Sequence, residues 1–128
     1  MLALDQQLAD AHDADGVVEA LVESLKRFVK EEPEFITLVF EVFTLSRRND
    51  EIAVEFAELL RRTREHVADM LARKQAEGAL RLRAEPGAVA DVLFSLADGI
   101  SMRMLAEEGH DFTESVAAGV LAVRALLD

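Results

Sequence analysis

The chain has no cysteine, which excludes disulfides, thiol nucleophiles and cysteine-bound zinc and leaves the redox compartment open. It also lacks Trp and Tyr, and has only seven Phe, so its apolar interior must be built mostly from aliphatic side chains. With two Pro and six Gly there are few forced turns, while Ala, Leu, Val and Glu are abundant, a balance that favours helix over sheet. Basic residues are scarce: 14 Lys and Arg stand against 25 Asp and Glu, a net charge of −11. Phosphate binding needs a basic face, so this chain is not expected to grip nucleic acid itself. Met1 leads into Leu2, Ala3 and Leu4 and then acidic residues, without the basic start of a signal peptide. The longest apolar stretches run to about twelve residues, short of the roughly twenty that span a bilayer. What is there is a chain of 128 residues, enough for one domain over residues 1–128 that buries roughly two thirds of its unfolded surface. The expectation is an acidic, all-α, cytoplasmic domain with no membrane association.

Apolar spacing and cap residues divide the chain into six helical segments. The first, about Met1 to Ala11, puts Met1, Leu4, Leu8 and Ala11 on one stripe. It has no start signal before it, as the tail of a longer helix would not. Asp13, Asp15 and Gly16 form a break, with Asp15 expected to cap the second helix, about Val17 to Lys30. Glu31-Glu32-Pro33-Glu34 then stops one helix and starts the next. The third helix, about Glu34 to Arg47, is apolar nearly all round, its polar stripe limited to Thr37, Glu41, Thr44 and Arg48. So narrow a wet strip predicts a helix inside the bundle. Asn49 is placed to cap the fourth helix, which runs to about Glu77, with an apolar stripe of Ile52, Phe56, Leu59, Thr63, His66 and Met70. Gly78 ends it, Ala79 to Ala84 make an extended connector, and the fifth helix runs from Glu85-Pro86 to about Glu108. Asp111, with Glu114 three residues on, opens the sixth.

The last two helices are richer in apolar residues than one small domain can cover. The fifth carries Val89, Leu93, Leu96 and Ile100 on one stripe. The sixth carries Val116, Val120, Val123 and Leu127, with Ala117, Leu121 and Ala125 beside them. A second copy of the chain is the economical cover, and Ala118, Gly119 and Ala122 permit close helix approach. A terminal helix fully buried within one protomer is the alternative. Catalytic motifs are missing: there is no Gly-rich phosphate loop, G-x-S-x-G elbow or H-E-x-x-H. A di-iron bundle needs two Glu-x-x-His pairs and two further Glu. Only Glu107-Glu108-Gly109-His110 has that spacing, and it straddles a helix end. No enzyme activity, cofactor or metal is therefore expected.

One series of segments carries more information than any of its parts. An apolar helix with a central Glu (Phe35 to Leu45 around Glu41) is followed by Arg47-Arg48-Asn49-Asp50-Glu51 and a long charged helix ending Gln75-Ala76-Glu77-Gly78-Ala79-Leu80. Glu85-Pro86 and a helix bearing Leu96-Ala97-Asp98-Gly99-Ile100 come next. In this order the chain resembles, over nearly its whole length, the C-terminal regulatory domain of TetR-type transcriptional repressors. The resemblance implies a homodimer whose last two helices form an intermolecular four-helix bundle, and an effector cavity among the helices before them. The interface expected on that basis comprises Val89, Leu93, Leu96, Ile100, Val116, Gly119, Val120, Val123 and Leu127. Such repressors begin with a helix-turn-helix domain, for which there is no room before Asp13. DNA contact is thus expected only through an N-terminal domain missing from this chain.

The candidates to line an effector cavity are Phe28, Phe40, Phe43, Phe56, Met70 and Phe94, with Phe35 and Met102 of the same kind, and all of these also fit an ordinary core. Thr63, His66 and Ser95 supply the polar handles. His66 otherwise fits a boundary position with its polar edge wet or bonded to a neighbour, and Glu41 a solvated face. Such a cavity suits a small lipophilic effector that enters among helices two to five and favours one packing of the fourth. A ligand-free helical dimerisation or adaptor module is the alternative function. Sedimentation equilibrium checks the dimer: the sequence predicts a dimer in the micromolar range that Val120→Glu dissociates.

Overall fold

Cap residues fix where the helices begin and end. The computed structural model describes residues 2–128, with side chains from Asp5 onward, so the Met1 and Leu4 positions of the first apolar stripe lie outside the side chains described. The helices are α1 (Leu2–Asp10), α2 (Ala14–Glu31), α3 (Pro33–Ser46), α4 (Asp50–Ala76), α5 (Pro86–Ala106) and α6 (Thr113–Leu127). No strand occurs among the described residues, and the fold is all-α. Asn49 Oδ1 accepts from the backbone N–H groups of Glu51 (3.0 Å) and Ile52 (3.1 Å), satisfying two donors that the start of α4 leaves open. Pro33 and Pro86 each occupy the first turn of a helix, where a missing N–H costs nothing. Gly78 ends α4 at φ +82°, a conformation that other L-residues adopt only under strain. The cap of α2 is Asp13, not Asp15: its Oδ1 accepts from Gly16 N at 2.8 Å. Asp15 lies in the first turn, where its carboxylate pairs instead with Arg124 of α6.

The core gathers at one end of the bundle. Val17, Val18 and Ala20 of α2 meet Val67 and Leu71 of α4, Val89, Ala90 and Leu93 of α5, and Leu127 of α6. Leu8 and Ala11 close the cluster from the α1 side, and Leu80 from the connector. Leu71, Leu127, Val17 and Val89 are its most completely covered large side chains. Residues 79–84 form an irregular connector with bends at 79, 83 and 84, and they perform a task that spacing alone does not reveal. The N–H groups of Arg81 and Arg83 donate to the carbonyls of Leu127 and Leu126, both at 2.9 Å, and Arg83 Nη2 donates to Asp128 O at 2.7 Å. A helix leaves its final carbonyls unpaired, and the connector satisfies those of α6. Gln75 Oε1 accepts from Leu82 N at 2.7 Å and holds the connector to the end of α4.

The opposite end is open. Of α3 only Ile36 is buried, and Phe35, Leu38, Phe43 and Leu45 are each at least half exposed. The expectation that α3 lies inside the bundle is corrected: α2, α4 and α5 pack against it, and Phe35, Leu38, Phe43 and Leu45 are left uncovered by the described residues. A helix that is apolar all round needs cover, but the sequence does not say which molecule provides it. Because stability resides at the closed end, Leu71→Ala should cost about 2–5 kcal/mol. Urea denaturation should show this as a lower midpoint with an unchanged slope.

Candidate functional site

Two apolar clefts open along α3. The larger, about 680 Å³, lies between α3 and the C-terminal half of α5 and is lined by Ile36, Thr37, Phe40, Glu41, Thr44, Leu45, Met102, Leu105 and Ala106. The smaller, about 340 Å³, lies between α3 and the first half of α4, with Val42, Ile52, Phe56 and Leu59 at its base and Glu51 and Glu55 at its edge. The larger falls within the range of small-molecule sites, roughly 300–1,000 Å³. Its α3 wall follows from helical spacing: Thr37, Glu41 and Thr44 recur at i, i+4 and i+7 beside Ile36 and Phe40. The stripe assigned above to a solvated face is therefore the polar rim of an apolar cleft.

The rim has a definite hydrogen-bonding character. Thr37 Oγ1 donates to Pro33 O at 3.2 Å and Thr44 Oγ1 donates to Phe40 O at 3.0 Å. Both hydroxyl protons are thus committed to the α3 backbone, and what each oxygen offers the cleft is lone pairs. The Glu41 carboxylate is likewise an acceptor. Asp98 lies one and two turns before Met102 and Leu105 on α5, and burial holds its carboxyl above the usual aspartate range although its edge reaches solvent. Elsewhere, Arg61 hydrogen-bonds Glu58 and holds that carboxyl below its ordinary value, while Glu58 and Glu65 raise the Arg61 guanidinium. Asp111 is lowered by hydrogen bonds from the Thr113 hydroxyl and backbone N–H. These last groups stand at the surface and serve solvation and helix entry.

The proposed pocket residues are dispersed. Phe40 alone among them lines the α3–α5 cleft, and Phe56 lines the α3–α4 groove, its ring 6.5 Å from that of the half-exposed Phe43. Phe28 stacks on Phe35 at 5.7 Å, across the turn from α2 to α3. Met70 and Phe94 pack against the buried core. The Thr63 hydroxyl donates to the carbonyls of Leu59 and Leu60, and the Ser95 hydroxyl to that of Asp91. His66 stands at the surface, its Nε2 3.0 Å from Asp5 Oδ1. Met102 does reach the larger cleft, whereas Ile36, Thr37, Thr44, Leu45, Leu105 and Ala106 went unnoticed as lining. Their signal in the sequence was a polar stripe directly beside Phe40.

The α5–α6 surface divides in the same way. Val89 and Leu127 are wholly covered and Leu93 nearly so, all within the chain, and none has surface left for a second copy. Val120 and Val123 pack against the same core. Gly119 faces Ile100 of its own chain, where an added Cβ would lie 3.4 Å from Ile100 Cδ1. Leu96 and Val116 are half-buried. The face of α6 that remains open is Ala117, Ala118, Leu121, Ala122 and Ala125, with Leu121 70% exposed. No helix among the described residues is long and apolar enough to cross a membrane, and no group of three or more Asp, Glu or His is arranged to hold a metal ion.

With this geometry in place, comparison with known proteins gives one match. The family model described as the C-terminal domain of BetI-type transcriptional repressors matches residues 5–128. No curated protein and no solved structure matches the chain.

The raised Asp98 carboxyl has a consequence for stability. Because its folded pKa lies above its unfolded value, ionisation opposes folding, and the penalty is present in full above the folded pKa. It fades as pH falls toward the ordinary value of 3.8. Asp98→Asn should therefore raise Tm at pH 7 and give no gain below pH 3.8, as thermal melts across that range will register.

Proposed function

This chain belongs to the family of BetI-type transcriptional repressor C-terminal domains, and on that premise we propose that it senses a small, mainly apolar effector and joins two copies of the regulator. The observation that carries the sensing half is the α3–α5 cleft, apolar at its base and acceptor-only at its rim. A ligand suited to it has an apolar body and at least one hydrogen-bond donor to meet Glu41 or a threonine oxygen. Bound there, it bridges α3 to the second half of α5 and favours one spacing of the two helices. α4 packs on both, so the preference reaches the longest helix of the bundle. In a regulator carrying a DNA-reading domain, that preference becomes a change in the separation of two such domains. No catalytic step is part of this reading.

The dimerising half rests on the outward α6 face, where Leu121 stands among alanines small enough for close helix packing. That geometry alters the choice of test variant. Val120 packs inward, so Val120→Glu would unfold the chain rather than split a dimer. Sedimentation equilibrium should find a dimer for the natural sequence and a folded monomer for Leu121→Glu. A natural monomer in the micromolar range would remove this half.

Ligand binding is tested by thermal shift with matched compounds of one apolar body, alcohols and amines against ethers and esters. A donor-bearing ligand at about ten times its Kd adds about 1.4 kcal/mol, a rise of several degrees, and acceptor-only analogues add less. Phe40→Ala should remove the shifts, and Glu41→Gln, which adds a donor to the rim, should narrow the difference. Uniform absence of shifts would leave the ligand-free dimerisation module as the better reading.

A further inference from the structure

We propose that α3 is a second contact surface between copies of this chain, distinct from the α6 face, and that it pairs antiparallel with α3 of another copy along an exposed apolar stripe. Phe35, Leu38, Val42 and Leu45 recur at i, i+3, i+7 and i+10, the a and d spacing of a coiled-coil seam. Phe35, Leu38 and Leu45 are each more than half exposed and Val42 is half-buried, so the described residues leave the stripe open. A contiguous apolar row of this kind is seldom left bare on a soluble chain.

Charge decides what covers it. Glu34, Glu41 and Arg48 run beside the stripe at seven-residue intervals, all exposed and none in an ion pair among the described residues. Arg47 keeps helical backbone angles and Arg48 N donates to Leu45 O at 3.0 Å, so the helical path extends as far as Arg48. When two copies of such a helix meet antiparallel about a two-fold axis, a positions face d positions and the flanking row meets its own copy reversed. Phe35 then packs on Leu45 and Leu38 on Val42. Glu34 lies beside Arg48 at both ends, and Glu41 meets Glu41 at the axis. A parallel pair sets Glu34 beside Val39 and Glu41 beside Ser46, with no ion pair, so the charges select the antiparallel arrangement.

Two ion pairs outweigh one like-charge contact, but exposed pairs contribute little. One helix against one helix also buries less than a standard interface. The seam therefore forms above the micromolar range in which the α6 face is proposed to act, and it joins dimers into tetramers. It does not depend on the effector reading.

Sedimentation equilibrium at high-micromolar concentration tests it, on the natural chain and on Leu121→Glu, whose α6 face is spoiled. The natural chain should pass from dimer to tetramer and Leu121→Glu from monomer to dimer. In the Leu121→Glu background, Leu38→Glu should raise the dissociation constant at least tenfold. Arg48→Glu and Glu34→Lys should each weaken pairing several-fold, and mixing the two should restore it, because every end of the mixed pair then joins opposite charges. Glu41→Gln should tighten pairing, a gain that a merely structural role for Glu41 does not produce. All four positions are exposed, so these variants keep the fold, which thermal melts will register. A Leu121→Glu chain that stays monomeric at high concentration overturns the proposal. So does association that ignores Leu38→Glu, or a mixture no tighter than its components.

Discussion

The structure depends on where its tightest packing sits. The core forms where the start of α2, the end of α4, the start of α5 and the last turn of α6 come together over Leu71, Val89, Leu127 and Val17. Every other feature is arranged around that closed end. The connector is fixed there because its N–H groups are the partners of the last α6 carbonyls. A bundle built in this way seals one end and leaves aliphatic side chains of α3 and α4 uncovered at the other. The remainder, on α3 and the first half of α4, becomes clefts and an exposed edge, which is where small molecules have room to bind.

Much of this was legible in the sequence, and the reasons it was legible are local. Asn49, Gly78, Pro33 and Pro86 act within a few residues of themselves, so six helices and their ends can be read one at a time. Orientation is a different matter. α6 is apolar on both faces, and periodicity cannot decide whether Val120 or Leu121 turns inward. The choice is made by Val17 and Val89, far away along the chain. The same ambiguity made α3 look interior, and periodicity gives no hint of the contacts that Phe28, Met70 and Phe94 make here. Asp13 and Asp15 have equal capping chemistry, and tertiary pairing of Asp15 with Arg124 separated them. Lys74 carried no signal at all: nothing among the charges of α4 marks the one whose ammonium donates to the Ala9 and Ala11 carbonyls.

The family explains the order of the elements, and the local chemistry explains what the open end can recognise. Threonines on a helix often return their hydroxyl protons to the preceding turn, and here that habit leaves a cleft rim with lone pairs and no donors. On the proposed effector reading, selectivity then follows from what is absent. A ligand bringing only acceptors would face Glu41 and two threonine oxygens without a proton to share, and such mismatches discriminate more sharply than a methylene in or out of an apolar pocket.

The pairing of Arg124 with Asp15 spans 109 positions of sequence. On the ribosome, the start of α2 is therefore made long before the helix that completes its packing. Until then Val17 and Val18 lack Leu127, which joins Val67, Leu71, Val89 and Leu93 in the cluster that covers them. The helices are local and the seal over Val17 is not: it waits on contacts across most of the sequence, the long-range kind whose loop-closure entropy slows folding.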